Sequence, residues 1–212
     1  MKPTQPHVRR KPGRPKTSEP STVKSTLLQT ASALFMQLGF ESVSMEQISA
    51  ASGVTKASVY YYFPNKAELF TAAVVHMMTG IGRLTRDMLE QPGSSFRERL
   101  AAVADAHMRA AHVDFESLMR EASPALSGEQ IAAIREAERS IHVVLAETFQ
   151  RKIDAGAMRP GDPMLYAYAF SSLLMLGNRS GHMYADGEND KLPPIEADTI
   201  VDLFWYGAYH MV

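Results

Sequence analysis

The sequence predicts an all-α fold in which an N-terminal three-helix head precedes a larger C-terminal helical body. Three observations lead there. Residues 44–66, SMEQISAASGVTKASVYYYFPNK, read as two short helices around a tight turn, with a third beginning directly after them. Before and beyond that stretch, apolar residues recur at helical spacing in segment after segment, separated by glycine and proline breaks. Charge is divided unevenly, with +5 over residues 1–70 and −6 over residues 71–212, giving the net −1 of the 212-residue chain. A basic head on an acidic body suits a molecule whose one end meets a polyanion.

Composition narrows the chemistry. A hydrophobic fraction of 45% is enough for a sizeable core, and a charged fraction of 21% is ordinary for a globular protein. There are no cysteines, which excludes disulfides, thiol catalysis and cysteine-held zinc. The most apolar run, residues 163–177, falls short of the ~18–20 residues a membrane helix needs and contains two serines. The N-terminus is positive but lacks an apolar segment behind it, so it does not read as a secretory signal. A cytoplasmic protein with no membrane contact is expected.

Residues 1–20 hold five prolines and seven charges and predict a disordered basic arm. One reading is a solubilising tail. The other rests on Gly13-Arg14-Pro15, which resembles the core of an AT-hook and would lay Arg14 in a narrow minor groove, although Pro12 stands where a hook has arginine. Residues 22–38 predict the first helix, with Leu27, Leu28, Ala31, Leu34, Phe35 and Leu38 on its apolar stripe and Gly39 closing it. Lys24 near its start is placed to touch a phosphate.

The central stretch has its own punctuation. Ser44 and Gln47 form a capping box, and Val43 staples onto Ile48. Gly53 takes the left-handed position that ends the first short helix, and Thr55 caps the second, residues 56–62. Phe63 precedes Pro64 and is driven out of the helical region, and Asn65 caps the third. The competing reading is a helical hairpin buried in an all-α core. Against it, only Val59 and Phe63 share an inward face. Lys56, Ser58, Tyr61 and Tyr62 fall elsewhere, a polar load that burial would not tolerate. That pattern is a helix-turn-helix, whose second helix enters the DNA major groove.

The body follows as helices. The third short helix runs past Met78, with Gly80 and Gly82 as points where it bends or breaks, and residues 91–94 interrupt it. Helices are expected over 96–113, 114–122, 129–155, 163–177 and 197–211. The last two are apolar nearly all round. Either they sit inside the monomer core or half their surface meets another subunit. Residues 182–191 are acidic, but their spacing is wrong for a calcium loop and the closing glutamate is missing. No phosphate-binding loop, nucleophile elbow or clustered metal ligands occur, so no catalytic residue, cofactor or metal is assigned.

The run GVTKASVYYYFPNKAELF resembles the signature of the TetR (tetracycline-repressor) family, and LFMQLGFESVSMEQISAASG before it is similar to that family's first two helices. The resemblance covers residues 22–70 and extends over the rest only as helix pattern. It implies three parts: the arm at 1–20, a DNA-binding domain at 21–70, and an effector-binding and dimerisation domain at 71–212. It puts Ser44 and Thr55 at backbone phosphates and turns Lys56, Ala57 and Ser58 toward base edges, with Lys56 suited to guanine. It gives Tyr60, Tyr61 and Tyr62 sugars, phosphates and thymine methyls, and makes Lys66 a phosphate anchor. It further implies a homodimer through the last two helices, binding palindromic double-stranded DNA and released by a small-molecule effector. Helix faces offer Met78, Val103, His107, Phe115, Met119, Ile141, His142, Leu145, Phe149 and Phe170 as ligand-binding candidates. Few charges fall among them, so an apolar or aromatic ligand is expected. The alternative is a DNA-binding factor of the same fold that has no effector.

Overall fold

The computed structural model describes residues 20–110, 115–179 and 195–208, and those residues form nine α-helices and one short 3₁₀ turn. The basic arm with Arg14, the acidic loop at 182–191 and the ends of the helices expected at 96–113 and 197–211 lie outside them. Helix α1, Pro20–Leu38, opens with proline in its first turn, where the missing N–H costs nothing, and so begins two residues before the expected start. It ends at Gly39, whose φ is +83°. Leu38 departs from the expected stripe. It is half exposed, whereas Phe35, one turn earlier, packs with Phe40 and Phe70 in the core.

Helices α2 (Met45–Ser52), α3 (Lys56–Tyr62) and α4 (Lys66–Leu89) follow with the predicted caps. Ser44 and Gln47 form the capping box, Gly53 is left-handed at φ +67°, and Thr55 and Asn65 each accept a backbone N–H three residues on. Helix α4 does not break at Gly80 or Gly82; it is continuous to Leu89. The two glycines cost the helix roughly 1 kcal/mol each relative to alanine. Burial of Met78, Thr85 and Leu89 on the same helix outweighs that. Gly93, at φ +86°, then turns the chain.

The body comprises α5 (Phe96–Ala110), α6 (Phe115–Ala122) with the turn Ser123–Ala125, α7 (Gly128–Asp154), α8 (Pro163–Arg179) and α9 (Ala197–Ala208). Two apolar clusters hold these helices together. The first joins α1 to α4 and also takes Leu118, Met119 and Ala122 from α6 and Ile134, Ala137 and Ile141 from α7. The second gathers the end of α4, α5, the C-terminal half of α7, α8 and α9 around Phe149, whose ring meets Phe96, Phe170 and Phe204 at 5.3–6.3 Å. Helices α4 and α7 pack along each other and pass through both. Arg97 at the start of α5 bonds Asp198 at 3.0 Å and Asp202 at 2.6 Å, fastening α9.

The monomer covers one face of α8 and α9, through Phe170, Leu174, Ile200 and Phe204, and leaves another open. Leu165, Tyr168, Met175 and Leu176 lie exposed on one face of α8, and Leu203 and Tyr206 on one face of α9, with Leu165 63% and Tyr206 64% accessible. Each helix thus has one face in the monomer core and another that carries apolar side chains into solvent. Among the described residues, no helix is long and apolar enough to cross a membrane.

Candidate nucleic-acid interface

Two buried side chains seat the second helix of the motif. Val59 is fully buried and Phe63 nearly so, both in the first apolar cluster. Full burial of side chains of this size contributes about 1.5–3 kcal/mol each. The turn before α3 is fixed by the Ser49 hydroxyl, which donates to the Val54 carbonyl at 2.6 Å. With its inner face fixed this way, α3 presents Thr55, Lys56, Ala57, Tyr60 and Tyr61 to solvent, and Ser58 and Tyr62 are half-buried. Tyr61 is 82% exposed, and its ring meets Tyr62 edge-on at 5.2 Å. An aromatic ring kept this far out of the core has the reach to lie on sugar or base edges.

The cations of the head are not idle. Lys56 Nζ lies 2.5 Å from a carboxylate oxygen of Glu46 on α2 and 5.8 Å from the Tyr60 ring centroid. Donating a hydrogen bond to the Glu46 carboxylate raises the Lys56 pKa, and accepting it holds Glu46 below the usual carboxylate value. Lys24 sits over the Phe63 ring at 5.9 Å. Lys66 stands over the Phe40 ring at 4.4 Å and donates to the Glu41 carbonyl at 3.2 Å, which leaves part of its three-donor ammonium available to a phosphate. The Thr55 and Ser58 hydroxyls lie 2.9 Å apart at the start of α3.

Spacing alone did not find two glutamates. Glu46 stands across the turn from Lys56, ten residues earlier, a pairing that only the crossing of α2 and α3 creates. Glu121 at the end of α6 accepts the Glu41 backbone N–H at 2.6 Å, and so ties the body to the turn before α2. Nothing in the sequence signals a contact across 80 residues. Helix α6 is itself held on α7 by Arg135, which forks onto Glu116 at 2.6 and 2.9 Å.

The ligand-binding candidates do not form one group. Met78, Met119 and Ile141 are buried in the first cluster with Phe115 at its margin, whereas Val103, Leu145, Phe149 and Phe170 are buried in the second. His107 and His142 are half-buried. His107 Nε2 is 2.9 Å from the buried Thr85 hydroxyl, and the His142 ring lies 4.6 Å from that of Tyr168. Burial lowers the pKa of both imidazoles, and the nearby His142 lowers that of His107 further. An open groove of about 460 Å³ at the α4–α5 turn is lined by Asp87, Met88, Glu90, Gln91 and Pro92, none of them a candidate.

Comparison with known proteins agrees with this geometry. Residues 27–73 match the tetR family of bacterial regulatory proteins, and residues 93–176 match a tetracyclin repressor-like C-terminal domain. YhgD of Bacillus subtilis (strain 168), an uncharacterised HTH-type transcriptional regulator, is 25% identical over 182 residues, 85% of this chain and 91% of its own. A solved structure from Mesorhizobium loti MAFF303099, assigned to the TetR-family transcriptional regulators, superposes with a TM-score of 0.69 at 21% identity, covering 91% of this chain and 100% of that one. SmeT in complex with triclosan gives a TM-score of 0.60 at 18% identity, covering 89% of this chain and 92% of SmeT. A regulator from Saccharomonospora viridis in complex with choline gives 0.61 at 19%, covering 87% and 94%. With its head and most of its body matched, the chain belongs to the TetR family, which consists of DNA-binding regulators of transcription and not of enzymes.

Proposed function

We propose that the protein is a homodimeric, ligand-responsive repressor that acts in the cytoplasm on a palindromic operator. The observation that carries this is the outer face of α3, where a lysine, small residues and two tyrosines stand exposed over a helix anchored by Val59 and Phe63. In this reading residues 21–70 bind DNA, with Lys56, Ala57 and Ser58 at base edges. Ser44, Thr55, Lys66, Lys24 and the tyrosines of α3 take the backbone, and the arm at 1–20 adds Arg14. Residues 71–212 bind the effector and the second subunit. The exposed apolar faces of α8 and α9 support that pairing, since contiguous apolar surface of this kind marks an interaction site.

Release by an effector follows from α4. It begins at Lys66 beside the turn before α2 and ends in the second cluster, so a ligand that moves the body helices moves the head as well. A shift of a few ångströms spoils contacts at both half-sites, and the ligand's preference for the shifted state sets how far release goes. The candidate side chains are mostly apolar and aromatic, which favours an apolar or aromatic effector. Solved relatives of the same fold carry small molecules, triclosan in SmeT and choline in the Saccharomonospora viridis regulator.

Selection from a pool of random duplexes tests the core of this reading. A palindrome with half-sites about one helical turn or slightly more apart is expected. Lys56→Ala then relaxes base preference, while Lys66→Ala weakens every duplex alike and flattens the salt slope by about one unit. No enrichment, or the reverse pattern in the two variants, would refute it.

A further inference from the structure

We propose that Glu46 is a specificity-determining residue, which keeps the Lys56 ammonium from seizing backbone phosphate on DNA that is not the operator. The proposal rests on the reading of α3 as the base-reading helix. The two groups are in contact at 2.5 Å, with side-chain exposures of 61% for Lys56 and 55% for Glu46, so the pair stands on the outer surface of the head and not in the packing beneath. Lys56 is also placed over the Tyr60 ring. Glu46 lies in the first turn of α2, two residues after Ser44, and the ion pair therefore bridges the N-terminal ends of the two helices that face DNA.

A lysine ammonium is a compact charge on a flexible stem and reaches any phosphate within its sweep, regardless of sequence. Glu46 changes what that contact gains. Leaving the carboxylate for one phosphate exchanges one anion for another, and it strands Glu46 among phosphates of like sign well inside a Debye length. Guanine sets no such choice. Its O6 and N7 accept two of the three ammonium donors, and the third stays with Glu46. The pair therefore penalises backbone capture and leaves base reading open.

Glu46→Gln keeps the size and the acceptor oxygen and removes the charge. Two probes are titrated across a KCl series: the duplex that the wild-type protein selects from a random pool, and a random-sequence duplex of the same length. One additional phosphate contact steepens the log–log salt slope for the random duplex by about 0.9, which is about fivefold tighter binding at ~0.15 M salt. The selected duplex is expected to change less than about twofold, because its base contact is already made. Glu46→Ala should shift the random duplex in the same direction. Adding Lys56→Met to Glu46→Gln should abolish the gain. Equal tightening on both duplexes, weaker binding to the selected one, or no change on either would overturn the role of Glu46 and leave the DNA-binding reading intact. Wild-type protein that binds neither duplex would overturn both.

Discussion

Glu121 adds a polar tie between α6 and the head to the apolar packing of Leu118, Met119 and Ala122, and replacing it with alanine is a direct test of that tie. One carboxylate oxygen accepts the Glu41 N–H at 2.6 Å. The other lies 2.7 Å from where a Cβ would stand on Gly39. The variant strips a charged acceptor from a backbone donor. Hydrogen bonds to charged groups contribute about 1.5–3 kcal/mol, and because Glu121 is only half-buried water replaces part of the loss, so about 1–2 kcal/mol of stability should go. Ser44 caps α2 three residues beyond Glu41, so a looser turn blurs the end of α2 that is proposed to meet phosphate. A loss of about three- to tenfold in DNA affinity is expected, equivalent to about 0.7–1.4 kcal/mol. Glu121→Gln retains an acceptor oxygen and should recover at least half of both. Urea unfolding reads the first effect, and titration of the selected duplex reads the second. An alanine variant that matches the wild type in both assays would refute the structural role. Lost stability with unchanged DNA affinity would refute the coupling to the interface.

Leu203→Glu places a charge on the exposed apolar face of α9 and should shift the proposed dimer to monomer in sedimentation, with helical content kept; a persistent dimer would exclude that face from the interface. Part of the pH dependence of stability follows from His107, whose pKa burial and then His142 hold below the ordinary 6.5. Between the lowered and the ordinary value the unfolded chain binds more protons than the folded one, so stability falls as pH drops through 6.5 and keeps falling until the folded value is reached. His107→Gln, which keeps a partner for Thr85, should reduce the loss of melting temperature between about pH 7.5 and 5.5, and an unchanged loss would show that His107 does not contribute to it.

What the sequence made legible was local chemistry. Ser44 with Gln47, Gly53, Thr55 and Asn65 each act on backbone groups within a few residues, so their roles follow from spacing alone. Tertiary contacts were harder to foresee. Gly80 and Gly82 weaken a helix in isolation, but packing along α7 keeps α4 whole. Leu38 obeys helical spacing and still faces solvent, because periodicity gives direction around the axis and not how far the core extends along it. The same limit applies to the ligand-binding candidates. All ten lie at least half-buried, as their helix faces implied, but nothing in the spacing says that they divide between two clusters. The Glu46–Lys56 and Glu121–Glu41 contacts depend on how helices cross, which no residue pattern states.

The first apolar cluster has a consequence for how such proteins diversify. Phe70, Phe35 and Ile48 share one core with Leu118, Met119, Ala122, Ile134, Ala137 and Ile141, so the seam between the DNA-reading end and the remainder is an interior, not a linker. A head exchanged with a relative by recombination at residue 70 would arrive facing side chains shaped for another partner. Productive exchange of operator specificity should therefore carry α6 and the first half of α7 along, or else be confined to the outer face of α3, where Lys56, Ala57, Tyr60 and Tyr61 lie outside the buried core.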